Sequence, residues 1–204
     1  MRRDSVRRGY VLLLHGWTGS GTDHWQSWLA AELPRYGVTV DHPRLPDPAH
    51  PDLDSWLPVL RHRLGTVPPD ADLVVLTHSL GGILWLHHAA TLSGRTRRAH
   101  RVLLVAPPTV NAIHPGWNGF RSVVLDARGV RLAASTTRMV AGQGDPYSSQ
   151  AESRALAAEL GVELDVVPGG EHLNADSGFQ RWPAALEWAL GTRASVLDNA
   201  PIST

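Results

Sequence analysis

Leu73-Val74-Val75-Leu76-Thr77-His78-Ser79-Leu80-Gly81-Gly82 is the stretch on which the reading of this 204-residue chain turns. Four apolar residues of strand type run into a serine set among small or polar residues, and an apolar helical segment, Ile83 to Leu92, follows directly. The pattern predicts a strand, a tight turn and a helix. A serine at so sharp a turn stands above the strand ends, with its hydroxyl accessible and the next backbone N–H facing it. Ser79 is therefore a candidate nucleophile. The stretch departs from Gly-x-Ser-x-Gly at its first position, where Thr77 brings a Cβ into a crowded turn, and keeps the last as Gly81. A serine at a strand–helix junction is also an ordinary N-cap, so partners elsewhere in the chain must decide between the two roles.

Working outward, five further segments read as strands: Tyr10–Leu14, Val38–Val40, Arg101–Ala106, Arg138–Ala141 and Val162–Val167. The continuous apolar run of the first is that of a strand buried on both faces of a parallel sheet. Helix signals alternate with them. Asp23 is placed to cap a helix carrying Trp25, Trp28, Leu29 and Leu33, with Gln26 three residues on and Pro34 as its stop. Leu53, Trp56, Leu57, Leu60 and Leu64 make a helical stripe with Gly65 as its C-cap, and Pro58 requires that helix to begin close before it. Ser149 to Glu152 is a capping box for a helix closed by Gly161, and a last helix is predicted from about Pro183 to Leu190. Residues 109–137 read either as an excursion over the functional site or as a helix on the sheet. Such alternation predicts an α/β fold with about six mostly parallel strands and helices on both faces. Neither a repeat nor a linker divides the chain, so one domain is expected over 1–204, with its core at about 10–190 and a polar tail, 191–204, that carries no pattern.

Composition excludes several function classes. The formal net charge is zero, which gives no electrostatic reason to expect nucleic acid or an anionic membrane as partner. There is no cysteine, so no disulfide framework or thiolate chemistry exists. The basic N-terminus is followed only by the short apolar run Tyr10–Leu14, too short for a signal-peptide core, and no stretch approaches the roughly 20 apolar residues of a membrane span. A cytoplasmic protein is the default expectation. Gly16-Trp17-Thr18-Gly19-Ser20-Gly21 lacks both the lysine of a phosphate loop and the spacing of a dinucleotide fingerprint, and no cofactor is expected. A metal site built from His15, His78 and His172 has no supporting ligand spacing, and none is expected.

In a parallel sheet, function sits beyond the carboxyl ends of the strands. His15-Gly16-Trp17, Ser79, Asp145 and His172 each follow such an end. A serine hydroxyl needs a base within hydrogen-bonding reach and a third group to orient that base. The chain order Ser79, Asp145, His172 is the order α/β hydrolases use. Asp126, Asp165 and Asp176 are rivals for the acid, and Asp126 is the best of them because its surroundings are undefined. The backbone N–H groups of Leu80 and Trp17 are the candidate oxyanion donors, and Trp117 and Tyr147 are candidate substrate-binding walls.

Leu14-His15-Gly16, Asp23-His24-Trp25, Leu45-Pro46-Asp47-Pro48, His78-Ser79-Leu80-Gly81, Asp145-Pro146-Tyr147, and Gly170 to Gly178 with Phe179 and Trp182-Pro183 together resemble the small serine hydrolases of the retinoblastoma-binding protein 9 type. The resemblance covers about residues 10–190 and implies a compact α/β-hydrolase fold without a large lid, and a triad of Ser79, Asp145 and His172. Carboxylester and aminopeptidase-like hydrolysis are the activities it brings. The Leu-x-Cys-x-Glu element of that family is absent, so retinoblastoma-protein binding is not expected. The sequence thus predicts a serine hydrolase of small carboxylic esters acting through an acyl-enzyme. A binding protein with little turnover, or an amide or thioester hydrolase on the same triad, are the alternatives. No feature sets an oligomeric state.

Overall fold

A computed structural model describes residues 9–94, 97–109, 112, 114 and 116–197. Six strands, β1 (Gly9–Leu14), β2 (Thr39–Asp41), β3 (Asp72–His78), β4 (Ala99–Val105), β5 (Ala134–Gly142) and β6 (Glu163–Val167), form one sheet in the order β2-β1-β3-β4-β5-β6. Every neighbouring pair is parallel. The helices are α1 (Trp25–Glu32), α2 (Leu53–Thr66), α3 (Leu80–Ala90), α4 (Ala127–Ala133), α5 (Gln150–Leu160) and α6 (Pro183–Leu190).

The central strands are uninterrupted apolar runs because both of their faces are covered. Successive side chains point to opposite faces, and the two sets enter two cores. Leu12, Leu14, Val75 and Leu104 pack with Trp56 and Leu60 of α2, Ile83 and Leu84 of α3, Val130 of α4 and Leu156 of α5. Val11, Leu13, Leu76, Leu103 and Val105 pack with Trp25 and Leu29 of α1 and with Ala185 and Trp188 of α6. Trp25 and Trp182 meet edge to face at 5.3 Å, linking α1 to the segment before α6. This is the α/β-hydrolase arrangement, without a large lid among the described residues.

Several local readings need correction. Asp23 does not cap α1; the cap is His24, whose Nδ1 accepts the Gln26 N–H at 3.2 Å. Gly65 lies inside α2, which ends at Thr66 with Val67 as its C-cap, and Pro58 is its sixth residue rather than part of its first turn. The second strand is Thr39–Asp41, shifted one residue from the sequence reading, and α3 ends at Ala90, two residues short of Leu92. The segment 116–137 divides its roles. Asn118 bridges to Asp52 and Trp117 reaches the site edge, whereas α4 packs so closely on α3 that a Cβ on Gly129 would stand 2.4 Å from Ala89 O. The tail is not featureless. Ser195 Oγ–H and the Val196 N–H both donate to Asp165 Oδ2, at 2.8 and 3.1 Å, and Val196 is buried. The capping box of α5 and the span of α6 are as expected.

Gln26 is wholly buried and explains how the ends of two central strands are finished. Its Nε2 donates to Leu14 O at 3.0 Å and to Leu76 O at 3.4 Å, and its Oε1 accepts Ser20 Oγ–H at 2.6 Å. Gln26→Leu leaves buried carbonyls without a donor and is expected to destabilise the fold by about 1–3 kcal/mol, read as a lowered urea midpoint.

Candidate active site

The turn after β3 forces the serine into a conformation most residues avoid. Ser79 has φ 51° and ψ −123°, and its N–H donates to Val105 O at 2.8 Å. Such strain is held only where the surroundings over-determine it. Here they do, because α3 begins directly against β1: a Cβ at Gly81 would fall 2.4 Å from Leu14 O. Thr77 is still part of β3 and is fully buried, its hydroxyl donating to Leu103 O at 3.2 Å. Room for it comes from Gly82, where a Cβ would approach Thr77 Oγ1 to 3.2 Å.

Ser79, Asp145 and His172 meet. His172 Nε2 stands 3.0 Å from Ser79 Oγ, and its Nδ1 stands 3.0 and 3.1 Å from the two Asp145 carboxylate oxygens. The carboxylate accepts only, so Nδ1 carries the proton and Nε2 offers its lone pair to the serine. Asp145 Oδ1 also accepts the Tyr147 N–H at 2.8 Å, which fixes the carboxylate's plane. All three residues are buried. The rival acids are engaged elsewhere. Asp126 caps α4 through the Arg128 N–H, and Asp165 pairs with Arg138 and holds the tail. Asp176 lines the cavity over Ser79 without joining His172.

Two close approaches set these distances. A Cβ at Gly142 would lie 2.1 Å from Glu171 O, so only a bare backbone lets the histidine loop close over the end of β5. On the other side, a Cβ at Gly16 would lie 2.8 Å from Ser79 Cβ and 3.1 Å from Leu80 N. The loop after β1 is thereby pressed against the turn that carries Ser79. The N–H groups of Leu80 and Trp17 have no acceptor among the described residues, whereas the next one, Thr18 N–H, is taken by Pro48 O at 2.7 Å.

The other histidines act as packing and positioning groups. His78, beside the serine in sequence, turns its Nε2–H to His172 O at 2.9 Å and so anchors the loop that carries His172. His15 Nε2 accepts the Leu45 N–H at 2.9 Å, leaving Nδ1–H for Gly16 O at 2.8 Å. His15, His78 and His172 thus do not converge on one point, and no group of three His, Asp or Glu side chains suited to a metal occurs among the described residues. Sequence reasoning passed over Gly142, Gln26 and the capping role of His24, since nothing in a single sequence separates a close-contact glycine from a turn glycine.

A cavity of about 450 Å³ opens over Ser79, walled by Trp17, Trp117 and Tyr147 on its aromatic side and by Asp23, His24 and Asp176 among its polar residues. Tyr147 lies tilted against His172 at 4.6 Å and Trp17 leans on Trp117 at 5.5 Å. A larger cavity, about 610 Å³, lies at the other end of the sheet between Arg101, Arg138 and Trp188, and no histidine lines it.

A strained serine at a strand–helix turn with a histidine on its hydroxyl, in a parallel six-stranded sheet, defines a serine hydrolase of the α/β-hydrolase fold. The chain belongs to the serine hydrolase family, whose model matches residues 11–189. It is 28% identical to YdeN of Bacillus subtilis (strain 168) over 178 residues, 85% of this chain and 90% of that one. The crystal structure of the B. subtilis ydeN gene product superposes with a TM-score of 0.79 at 25% identity, covering 90% of this chain and 97% of that one. A YdeN-like protein of Pectobacterium atrosepticum follows with a TM-score of 0.72 at 23% identity, over 89% and 88% of the two chains. One of the metagenome-derived lipolytic enzymes LipS and LipT shares the fold with a TM-score of 0.68 at 15% identity, over 91% and 93%.

Two outcomes follow from this packing. Gly142→Ala is expected to lower the thermal midpoint and to slow covalent labelling of Ser79 by at least about tenfold, since a 1 Å misplacement of reacting groups costs as much or more. Burial holds His24 at about 3, His42 and His88 at about 4, and His78 well below its ordinary value. Between those values and about 6.5, the unfolded chain binds more protons than the folded one, so stability rises with pH through that window. It is fully present above about pH 6.5 and is lost progressively as the pH falls towards about 4. Urea midpoints measured from pH 7.5 to 4.5 should show this slope, and His24→Asn, which keeps a capping oxygen, should flatten it.

Proposed function

We propose that this protein is a hydrolase of small carboxylic esters that works through an acyl-enzyme, with Ser79 as nucleophile, His172 as general base and acid, and Asp145 as its orienting partner. The observation that carries the reading is the unbroken line from the Asp145 carboxylate through His172 to Ser79 Oγ, each step at 3.0 Å. In this reading the Ser79 proton passes to His172 Nε2 as Oγ attacks the ester carbonyl, and Asp145 stabilises the imidazolium that forms. The oxyanion is received by the free N–H groups of Leu80 and Trp17, each worth about 3–4 kcal/mol in such a role. His172 then gives its proton to the departing alkoxide, and a water molecule activated by the same imidazole releases the acid. Trp117 and Tyr147 serve as walls for the bound substrate.

The fold shared with the metagenome-derived lipolytic enzyme supports ester chemistry, and the motif likeness to retinoblastoma-binding protein 9-type hydrolases supports the same three residues. Thr77 was the one sequence feature favouring a binding protein with little turnover. It sits inside β3 with its hydroxyl bonded and leaves the serine–histidine distance short, which favours turnover. Described residues include no helix long and apolar enough to cross a membrane.

A fluorophosphonate probe should label the protein at Ser79 and p-nitrophenyl esters of short acids should be cleaved. Ser79→Ala should abolish labelling and lower kcat by about 10⁴-fold or more, and Asp145→Asn should cost about 10⁴-fold with the fold intact. Labelling that survives Ser79→Ala would overturn the assignment.

A further inference from the structure

The cavity over Ser79 carries fixed charge of one sign. Asp23 and Asp176 line it from two different loops, one ahead of α1 and one following His172. Neither carboxylate has a hydrogen-bond or ion-pair partner among the described residues. The chain holds 19 basic residues, all arginine, and among the described residues none of them lines this cavity. Arg44 lines a separate cavity of about 380 Å³ that shares Thr18, Gly19 and Gly21 with it. The buried histidines add no positive charge, because desolvation holds His24 at about 3 and His78 well below its ordinary value.

Two observations independent of the carboxylates bear on what this cavity would hold. His24 is only 6% exposed, lines the cavity, and its Nε2 has no hydrogen-bond partner. Since Nδ1 accepts the Gln26 N–H, Nε2 carries the proton, and this buried donor has no acceptor among the described residues. Trp17 is 43% exposed at the cavity wall, an unusual place for so large an apolar ring. Its indole N–H is tied back to Ala49 O at 2.9 Å and its ring leans on Trp117, so what it presents to the cavity is aromatic surface. Indole faces attract ammonium groups through their quadrupole.

We propose that the substrate of this site carries an ammonium group, which Asp23 and Asp176 attract and the Trp17–Trp117 wall receives while the carbonyl carbon lies at Ser79. The inference rests on the serine-hydrolase reading above and adds the charge of the substrate to it. Anionic esters are disfavoured by the same field. Each exposed carboxylate contributes about two- to fivefold in kcat/KM, the scale of water-accessible ion pairs, and salt weakens the effect.

The test compares esters that differ only in charge. Choline butyrate against 3,3-dimethylbutyl butyrate places the charge on the alcohol side. The p-nitrophenyl esters of 4-(trimethylammonio)butanoate and 5,5-dimethylhexanoate place it on the acyl side. The cationic member of at least one pair should have a kcat/KM higher by about fivefold or more. That advantage should shrink in 0.5 M NaCl and should fall towards one in Asp23→Asn/Asp176→Asn. The comparison is a ratio within each protein, so a general loss of activity in the variant does not imitate the result. Equal values within both pairs, or a preference unchanged in the double variant, overturn the inference while leaving the hydrolase standing. Failure to cleave any of the four esters together with failure of a fluorophosphonate to label Ser79 overturns the hydrolase reading and this inference with it.

Discussion

The backbone at Ser79 is the constraint from which the rest of the site follows. With φ at 51° the chain leaves β3 and enters α3 with Ser79 alone between them, and the serine hydroxyl is carried to the top of the sheet. Maintaining that conformation requires α3 to lie directly on β1, which is possible only because Gly81 presents no Cβ to Leu14 O. The same contact brings Gly16 against Ser79, and the Leu80 and Trp17 N–H groups have no acceptor among the described residues. One strained residue therefore couples the serine hydroxyl, the start of a helix and the loop after the first strand.

The histidine side of the site is held by a different means. Its loop carries two non-glycine residues at positive φ, Glu171 and Leu173, on either side of His172. Three contacts keep them there: His78 Nε2–H on His172 O, Trp25 Nε1–H on Leu173 O, and the Glu171 N–H on Gln143 O. The donors of the first two come from β3 and α1 and the acceptor of the third lies at the end of β5, so His172 is placed by three elements at once. Tolerance for error is small in such an arrangement, and the bare backbone at Gly142 is part of it.

Burial sets the electrostatics of the surroundings. His15, His24 and His78 pack around the site, each pushed towards its neutral form chiefly by desolvation. Neutral rings donate and accept without adding charge, which leaves Asp23 and Asp176 as the fixed charges facing the cavity. The polar character of the site and its sign thus have separate origins, one in buried imidazoles and one in exposed carboxylates.

The sequence by itself determined the sheet, its parallel sense and the helices on both faces, because apolar runs, period and cap residues are local signals. It also nominated Ser79, Asp145 and His172, since each follows a strand end and their order matches the chemistry. Errors fell where the decisive contact is distant in sequence. Asp23 has the chemistry of a cap, but His24 does the capping, because its ring is also packed against His78 and Trp25. The tail looked patternless because Asp165, which holds it, lies 30 residues earlier. Within 109–137, of which residues 110, 111, 113 and 115 lie outside the described residues, no pattern is legible because Trp117 and Phe120 belong to contacts with Trp17 and Trp56 rather than to a stripe of their own. Only the tertiary structure decided which glycines are bare for a reason, how Thr77 fits beside Gly82, and that two carboxylates and a tryptophan pair share one cavity with the serine. Those facts depend on distances between segments far apart in the chain, which local propensity does not encode.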